Sequence, residues 1–200
     1  NFTTKAVTGL FASTPYYYRV RSYNGTVVSD NSNTITVNTA TTRIVINNND
    51  KDGGSLRQAI LDSNPGDEIT FAASVTGTIT LLTGELLINH DLTISGPGAG
   101  NLTISGGGTI QPFQVTGATV FTLQDLTITS GTGTDGGALI DNSSATTTIT
   151  NCVFSGNAAT GNGGAIHTAG TMSISDSLFS GNSALQGGAI FNNNATLSLT

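Results

Sequence analysis

Tryptophan is absent, cysteine and methionine occur once each, proline occurs four times, and Asp, Glu, Lys and Arg together make up only 9% of the 200 residues. A single cysteine excludes an intramolecular disulfide framework. Cys152 lies in an apolar run and reads as a small buried hydrophobe, not a nucleophile. Good helix formers are scarce beside Thr and Asn, which excludes a helical globule. No apolar run approaches the roughly 18 residues of a membrane span, and no basic-then-apolar signal opens the sequence. The chain starts at Asn1, not methionine, and reads as an excerpt of a longer protein.

Positive charge is missing from most of the chain. Lys5, Arg19, Arg21, Arg43, Lys51 and Arg57 are the only basic residues, and none follows Arg57. Beyond it stand nine acids, Asp62, Asp67, Glu68, Glu85, Asp91, Asp125, Asp135, Asp141 and Asp176. Nucleic-acid binding needs cations that displace phosphate counterions, so nucleic acid is excluded as a partner, and an anionic membrane surface with it. What the chain does have is Thr, Ser, Asn and Gly, about half of it, interleaved with short alternating runs of Ile, Leu, Val and Phe that a disordered tract would lack.

The sequence changes character near residue 41. Tyr16, Tyr18 and Val20 alternate with Tyr17, Arg19 and Arg21, which reads as a strand; Asn24-Gly25 reads as a turn and Thr34 to Val37 as a return strand. Leu10, Thr14, Tyr16, Tyr18 and Val20 resemble the Leu-x3-Thr-x-Tyr-x-Tyr-x-Val signature of a fibronectin type III domain. The resemblance implies that residues 1–41 are the last strands of such a sandwich, with Tyr16 in a structural corner role. No Arg-Gly-Asp tripeptide suggests integrin-type recognition, and a spacer is the expected role. Residues 42–67 read as a cap: a strand from Arg43 to Ile46, an Asx-rich loop, and a helix over 55–63 with Ser55 and Gln58 as a capping box and Leu56, Ala59 and Ile60 on one face.

Residues 68–200 are repetitive. Strands are expected at Glu68 to Phe71, Thr78 to Leu82, Asp91 to Ile94, Leu102 to Ile104 and Val120 to Ile128. Thr148 to Asn157 matches Ser173 to Asn182 at a spacing of 25, and Gly136-Gly-Ala-Leu139, Gly163-Gly-Ala-Ile166 and Gly187-Gly-Ala-Ile190 form a second series. Such a period means a solenoid, and Thr-, Ile- and Gly-rich units mean stacked parallel strands. The expected fold is all-β, a parallel β-helix with rungs of about 22 to 27 residues, five or six of them after Glu68, stacked about 4.8 Å apart. Phe154 should then stack on Phe179, and Asn157 on Asn182.

The paired Gly-Gly-Ala-Ile and Phe-x-x-Asn motifs resemble the repeat of the polymorphic outer membrane protein family. Gly54-Ser-Leu-Arg-Gln-Ala-Ile60, Asp67 to Phe71, Gly77 to Thr80 and Asp91 to Gly98 are similar to the N-terminal cap of secreted pectin-lyase-like β-helices. These resemblances imply a right-handed helix, bacterial export and a surface or adhesin-like role, with glycans or proteins of a host or neighbouring cell as partners. The family's C-terminal membrane barrel is not present in these 200 residues.

Related β-helices include polysaccharide lyases and hydrolases, so the acids and histidines need testing. A lyase base after Arg57 would have to be His90 or His167; His90-Asp91 pairs imidazole and carboxylate in sequence, but adjacent strand residues point to opposite faces. Asp125 and Asp176, with Asn151 between them, share one repeat position about 9.6 Å apart, a separation formally permissible for an inverting hydrolase; backbone capping explains the position better. Asn48-x-Asp50-x-Asp52-Gly53 mimics the start of a calcium loop, but Ala59 stands where the bidentate Glu belongs. No catalytic, cofactor or metal residue is assigned. The expectation is a non-enzymatic surface rod whose hydroxyl-rich sheets stay soluble; its rival is a carbohydrate-active β-helix whose active rungs lie outside this sequence.

Overall fold

The computed structural model describes Val7, Leu10, residues 14–141 and residues 144–200; Lys5 lies outside the described residues. The chain divides into two compact units, residues 1–41 and 42–200. In the first, Pro15–Tyr18 pairs antiparallel with Ile35–Asn38, and Tyr23 bridges Val28 around the Asn24-Gly25 turn. Asn24 holds that turn by accepting the Thr26 and Val27 N–H groups on its side-chain oxygen. Tyr16 and Tyr18 are half-buried and Tyr17 is exposed, as alternation requires, but Val20 is exposed as well. Regular pairing stops at Tyr18. Beyond it, serine hydroxyls stand in for part of the backbone ladder, with Val20 N–H donating to Ser32 Oγ and Ser22 N–H to Ser29 Oγ.

The second unit is a parallel β-solenoid with three long sheets and a short two-stranded one, Thr132–Gly133 beside Ala158–Ala159. Seven strands form the first: Thr42–Val45, Asp67–Phe71, Leu92–Ser95, Val120–Gln124, Thr146–Thr150, Thr171–Ser175 and Thr196–Leu199. The second holds Gly77–Thr80, Leu102–Ser105, Thr127–Thr129, Val153–Ser155 and Leu178–Ser180, and the third Leu86–Ile88, Phe113–Val115, Leu139–Asp141, Ile166–Thr168 and Ile190–Asn192. Each strand lies beside its counterpart one coil on. Ile69, Ile94, Leu123, Ile149 and Ile174 form one inward column, Ile79, Ile104, Ile128, Phe154 and Phe179 another. The chain makes about six turns; in the first sheet the repeat is 25 or 26 residues except where Ile94 pairs with Leu123, 29 residues on, and in the other two long sheets it runs from 24 to 27.

Burial of these columns drives the stacking, since each wholly buried Ile, Leu or Phe contributes about 1.5–3 kcal/mol. The Phe154 and Phe179 rings stack with centroids 5.0 Å apart and planes within 4°. Asn157 and Asn182 form the expected ladder: Asn157 donates to Asn182 Oδ1 at 3.0 Å and to the Ile128 carbonyl, and Asn182 donates to the Phe154 carbonyl at 2.9 Å. Each ladder oxygen also accepts the N–H of the residue before it in the stack, Gly131 or Asn157. The Gly-Gly pairs divide their work. Gly136, Gly163 and Gly187 take φ between 59° and 67°, which turns the chain onto the third sheet. Gly137 and Gly164 lie so close to the next coil that a Cβ would overlap the carbonyl oxygens of Gly164 and Gly188.

The helix runs Leu56–Leu61, shorter than expected, and packs Leu56 and Ile60 on the first coil. Only half of the capping box forms. Ser55 Oγ accepts Gln58 N–H at 3.1 Å, but the Gln58 side chain turns forward to Asp62, because the Ser55 N–H is already bound by the Asp52 carbonyl. The other correction concerns Val120 to Ile128, expected as one strand. Asp125 takes a left-handed conformation, φ 60°, and splits it between two sheets, so that Leu123 and Leu126 both face the core.

Candidate functional surface

The residues that could carry chemistry are occupied in holding coils together. Asp125, Asn151 and Asp176 stand at one corner, all left-handed with φ between 51° and 60°, and their N–H groups donate to the carbonyls of Thr150, Ser175 and Thr200 one coil on. Asx residues tolerate this conformation better than other side chains. Asn151 donates its amide to Asp125 Oδ1 at 2.5 Å. Asn151, in the space between the two acids that a hydrolase would keep for sugar and water, is thus tied to one of them by a structural hydrogen bond.

His90 and Asp91 separate as alternation expects. The imidazole Nε2 lies 2.8 Å from Ser63 Oγ and Nδ1 lies 2.9 Å from Asn89 Oδ1, while Asp91 accepts the Val120 N–H. His167 stacks on Phe191, centroids 5.4 Å apart, on the outer face of the third sheet. Cys152 is buried. Burial pushes its thiol up to about 11, so it stays protonated, and it donates weakly to the Thr150 and Leu123 carbonyls.

The calcium-like loop is rewired in the same way. Asp50 accepts from Arg57 at 2.8 Å and from Thr83 at 2.6 Å, and Asn48 donates to the Thr76 and Thr78 carbonyls. Burial acts to raise the Asp50 carboxyl, but the hydrogen bonds from Thr83 and Arg57 outweigh it and leave the group below its ordinary value. Arg57 also donates to the Glu85 and Gly84 carbonyls, which ties the helix to the chain near residue 85. An open hollow of about 380 Å³ beside this loop is lined by Asn48, Lys51, Asp52 and Thr78. Among the described residues no group of three or more His, Cys, Asp or Glu is placed to hold a metal.

Two features escaped the sequence reading. Asp141 follows Leu139 by two positions, which puts it in an inward column with Val115 and Thr168, fully buried. Its Oδ2 accepts from Thr168 at 3.3 Å, Oδ1 has no hydrogen-bond partner, and burial pushes the carboxyl up to about 6 against the opposing Thr147 and Thr168 hydroxyls. The signal was the alignment of Gly-Gly-Ala-Leu-Ile-Asp141 with Gly-Gly-Ala-Ile-His-Thr168. The second feature is the outer face of the first sheet. Thr93, Thr122, Thr148, Ser173 and Ser198 form one register column, Thr146, Thr171 and Thr196 a second, and Thr150 and Ser175 part of a third. None of the hydroxyls in the first two columns bonds to another described residue, whereas Thr150 and Ser175 lie 3.1 Å apart and pair with each other.

No helix among the described residues is long and apolar enough to cross a membrane. No curated protein and no solved structure matches the chain. Residues 151–169 and 176–194 do match a family model, the Chlamydia polymorphic membrane protein repeat. Each matched segment begins at a left-handed corner, Asn151 or Asp176, and carries the stacked Phe, the ladder Asn and the Gly-Gly-Ala-Ile turn. Both repeats lie in successive coils of one parallel stack, so over these two coils the solenoid is similar to the β-helix repeat of that family.

Proposed function

We propose that this chain is part of an exported bacterial surface protein in which the β-helix acts as an adhesive or display rod without catalytic activity, preceded by the end of a fibronectin type III spacer in residues 1–41. The observation that carries the reading is the pair of membrane-protein repeats in a solenoid whose acids, histidines and cysteine serve as corner caps, ladder bonds or core. An adhesive rod needs length, rigidity and a broad outer surface, and it uses its polar residues to keep successive coils in register. Its partners are glycans or proteins on a host or neighbouring cell, which suits a surface with no cation after Arg57 and hence no pull toward nucleic acid.

The test is binding of the fluorescently labelled 200-residue chain to a glycan array and to cultured cell monolayers. The reading expects saturable binding that survives chelation of divalent cations and the double change Asp125→Asn, Asp176→Asn. Absence of binding to every surface would overturn the adhesive role.

A further inference from the structure

We propose that the outer face of the first sheet is an ice-binding surface. The reading rests on the geometry of the hydroxyl columns and stands apart from any adhesion to cells. Columns in register recur about 4.8 Å apart from coil to coil, and alternate residues along a strand recur about 6.8 Å apart. The grid is therefore rectangular, with both repeats fixed by the backbone, and both are close to repeats of the water oxygens on a prism face of hexagonal ice. A partner that is itself periodic in two dimensions is the one such a grid fits.

Three further observations favour a frozen-water surface over a soluble macromolecule. The central column is neutral through the five strands from Thr93 to Ser198, Glu68 being its next member toward the first coil, and the chain beyond Arg57 has no cation. A charged group would organise water around itself, whereas a neutral hydroxyl can join a lattice of waters without dominating it; this is charge complementarity to an uncharged solid. The hydroxyls of the central column and of the Thr146, Thr171 and Thr196 column have no bond to other described residues, so their donors and acceptors are free for water, whereas Thr150 and Ser175 on the other flank pair with each other. Thr, which predominates, is stiff at χ1, so the array is ordered before anything binds. A protein partner would look for buried aromatic or Arg anchors, and this face has none.

Outward positions do not demand hydroxyls in this fold. The corresponding column of the third sheet is Leu87, Gln114, Ile140, His167 and Phe191, and one column of the second sheet ends in Val153 and Leu178. The second sheet has a hydroxyl column of its own, Thr80, Ser105, Thr129, Ser155 and Ser180, but Ser105, Thr129 and Ser155 there are hydrogen-bonded to the protein, as is Thr127 beside them. The concentration of hydroxyls left unbonded is a property of the first sheet.

The test uses the 200-residue chain in two assays: the fraction incorporated into a slowly growing ice hemisphere, and inhibition of ice recrystallisation. The wild-type chain is expected to enter the ice and slow grain growth. Thr148→Tyr, at the centre of the grid, should lower the incorporated fraction at least tenfold, while Val153→Tyr, on the outer face of the second sheet in the same coil, should leave it unchanged. Circular dichroism establishes that both variants keep the wild-type fold. Exclusion of the wild-type chain from ice overturns the proposal. So does equal loss in the two variants, or binding of the wild-type chain to crystalline cellulose without binding to ice. Failure to bind cells has no bearing on these outcomes.

Discussion

The coils that contain Arg43 and Arg57 and the coils that follow Leu123 solve the same stacking problem with different chemistry. In the early coils unlike groups meet: Arg43 bonds Asp67 at 2.9 Å, Arg57 bonds Asp50 and two carbonyls, and Ser95 relays between Glu68 and Gln124. In the later coils like groups meet: Phe154 on Phe179, Asn157 on Asn182, Gly-Gly on Gly-Gly. The difference follows from charge. Identical ions stacked coil on coil repel, so a strict repeat has to use neutral side chains that can pair with copies of themselves. Where cations are present, the coils hold cross-linked, irregular bonds; where they are absent, an interior acid such as Asp141 has no counter-charge.

The largest effect expected is at the backbone contact between late coils. Gly164→Ala puts a Cβ against the Gly188 carbonyl and the Ser183 backbone and should cost about 3 kcal/mol, lowering Tm by about 10 °C in a thermal melt. Gly188→Ala, whose Cβ would find its nearest neighbour at 3.8 Å, should leave Tm within a degree or two. Equal losses would mean that close coil approach is not what these glycines provide.

Next comes pH. The folded Asp141 carboxyl lies at about 6, above its ordinary 3.8, so its contribution is fully present below about pH 4 and is lost as pH rises through 6. Asp50 is lowered, so its contribution is present above its ordinary 3.8 and is lost as pH falls through the depressed folded value. Early and late coils thus carry opposite pH dependences. Asp141→Asn should raise stability at pH 8 by about 2 kcal/mol and leave stability at pH 4 nearly unchanged, as read by urea unfolding at both values. No gain at pH 8 would mean that the buried carboxyl is not strained by ionisation.

Asn157→Ala leaves the Gly131 N–H and the Ile128 carbonyl without their ladder partner and should cost about 2 kcal/mol in the same unfolding experiment. The smallest change is in the early coils, where Ser55→Ala removes the hydroxyl that caps the helix and should cost about 1 kcal/mol. A loss at Ser55 larger than that at Asn157 would reverse the ranking of cap against ladder.

Legibility in the sequence follows the same division. The late coils announce themselves because a ladder of identical residues requires constant spacing, and Ile149, Ile174 and Leu199 keep it at 25. The early strands of the third sheet, Leu86–Ile88 and Phe113–Val115, were not foreseen, because three-residue strands in unlike sequences offer neither repetition nor a full period. The break inside Val120 to Ile128 was legible in principle: Leu123 and Leu126 are three apart, which reverses the parity of a strand, and only a left-handed residue between them returns both to the core. Catalysis at Asp125 and Asp176 could be weighed from spacing, but the bond by which Asn151, between them, holds Asp125 depends on side-chain direction. Asp141 needed the two Gly-Gly-Ala segments to be aligned through to their ends.

The most direct measurement of the central claim, that these coils spend their reactive groups on structure, is incubation of the 200-residue chain with a panel of plant, algal and bacterial polysaccharides in the presence of Ca²⁺. New reducing ends and unsaturated products are scored over many hours. The account predicts none above buffer. Cleavage of any polysaccharide, abolished by Asp125→Asn or Asp176→Asn, would contradict it.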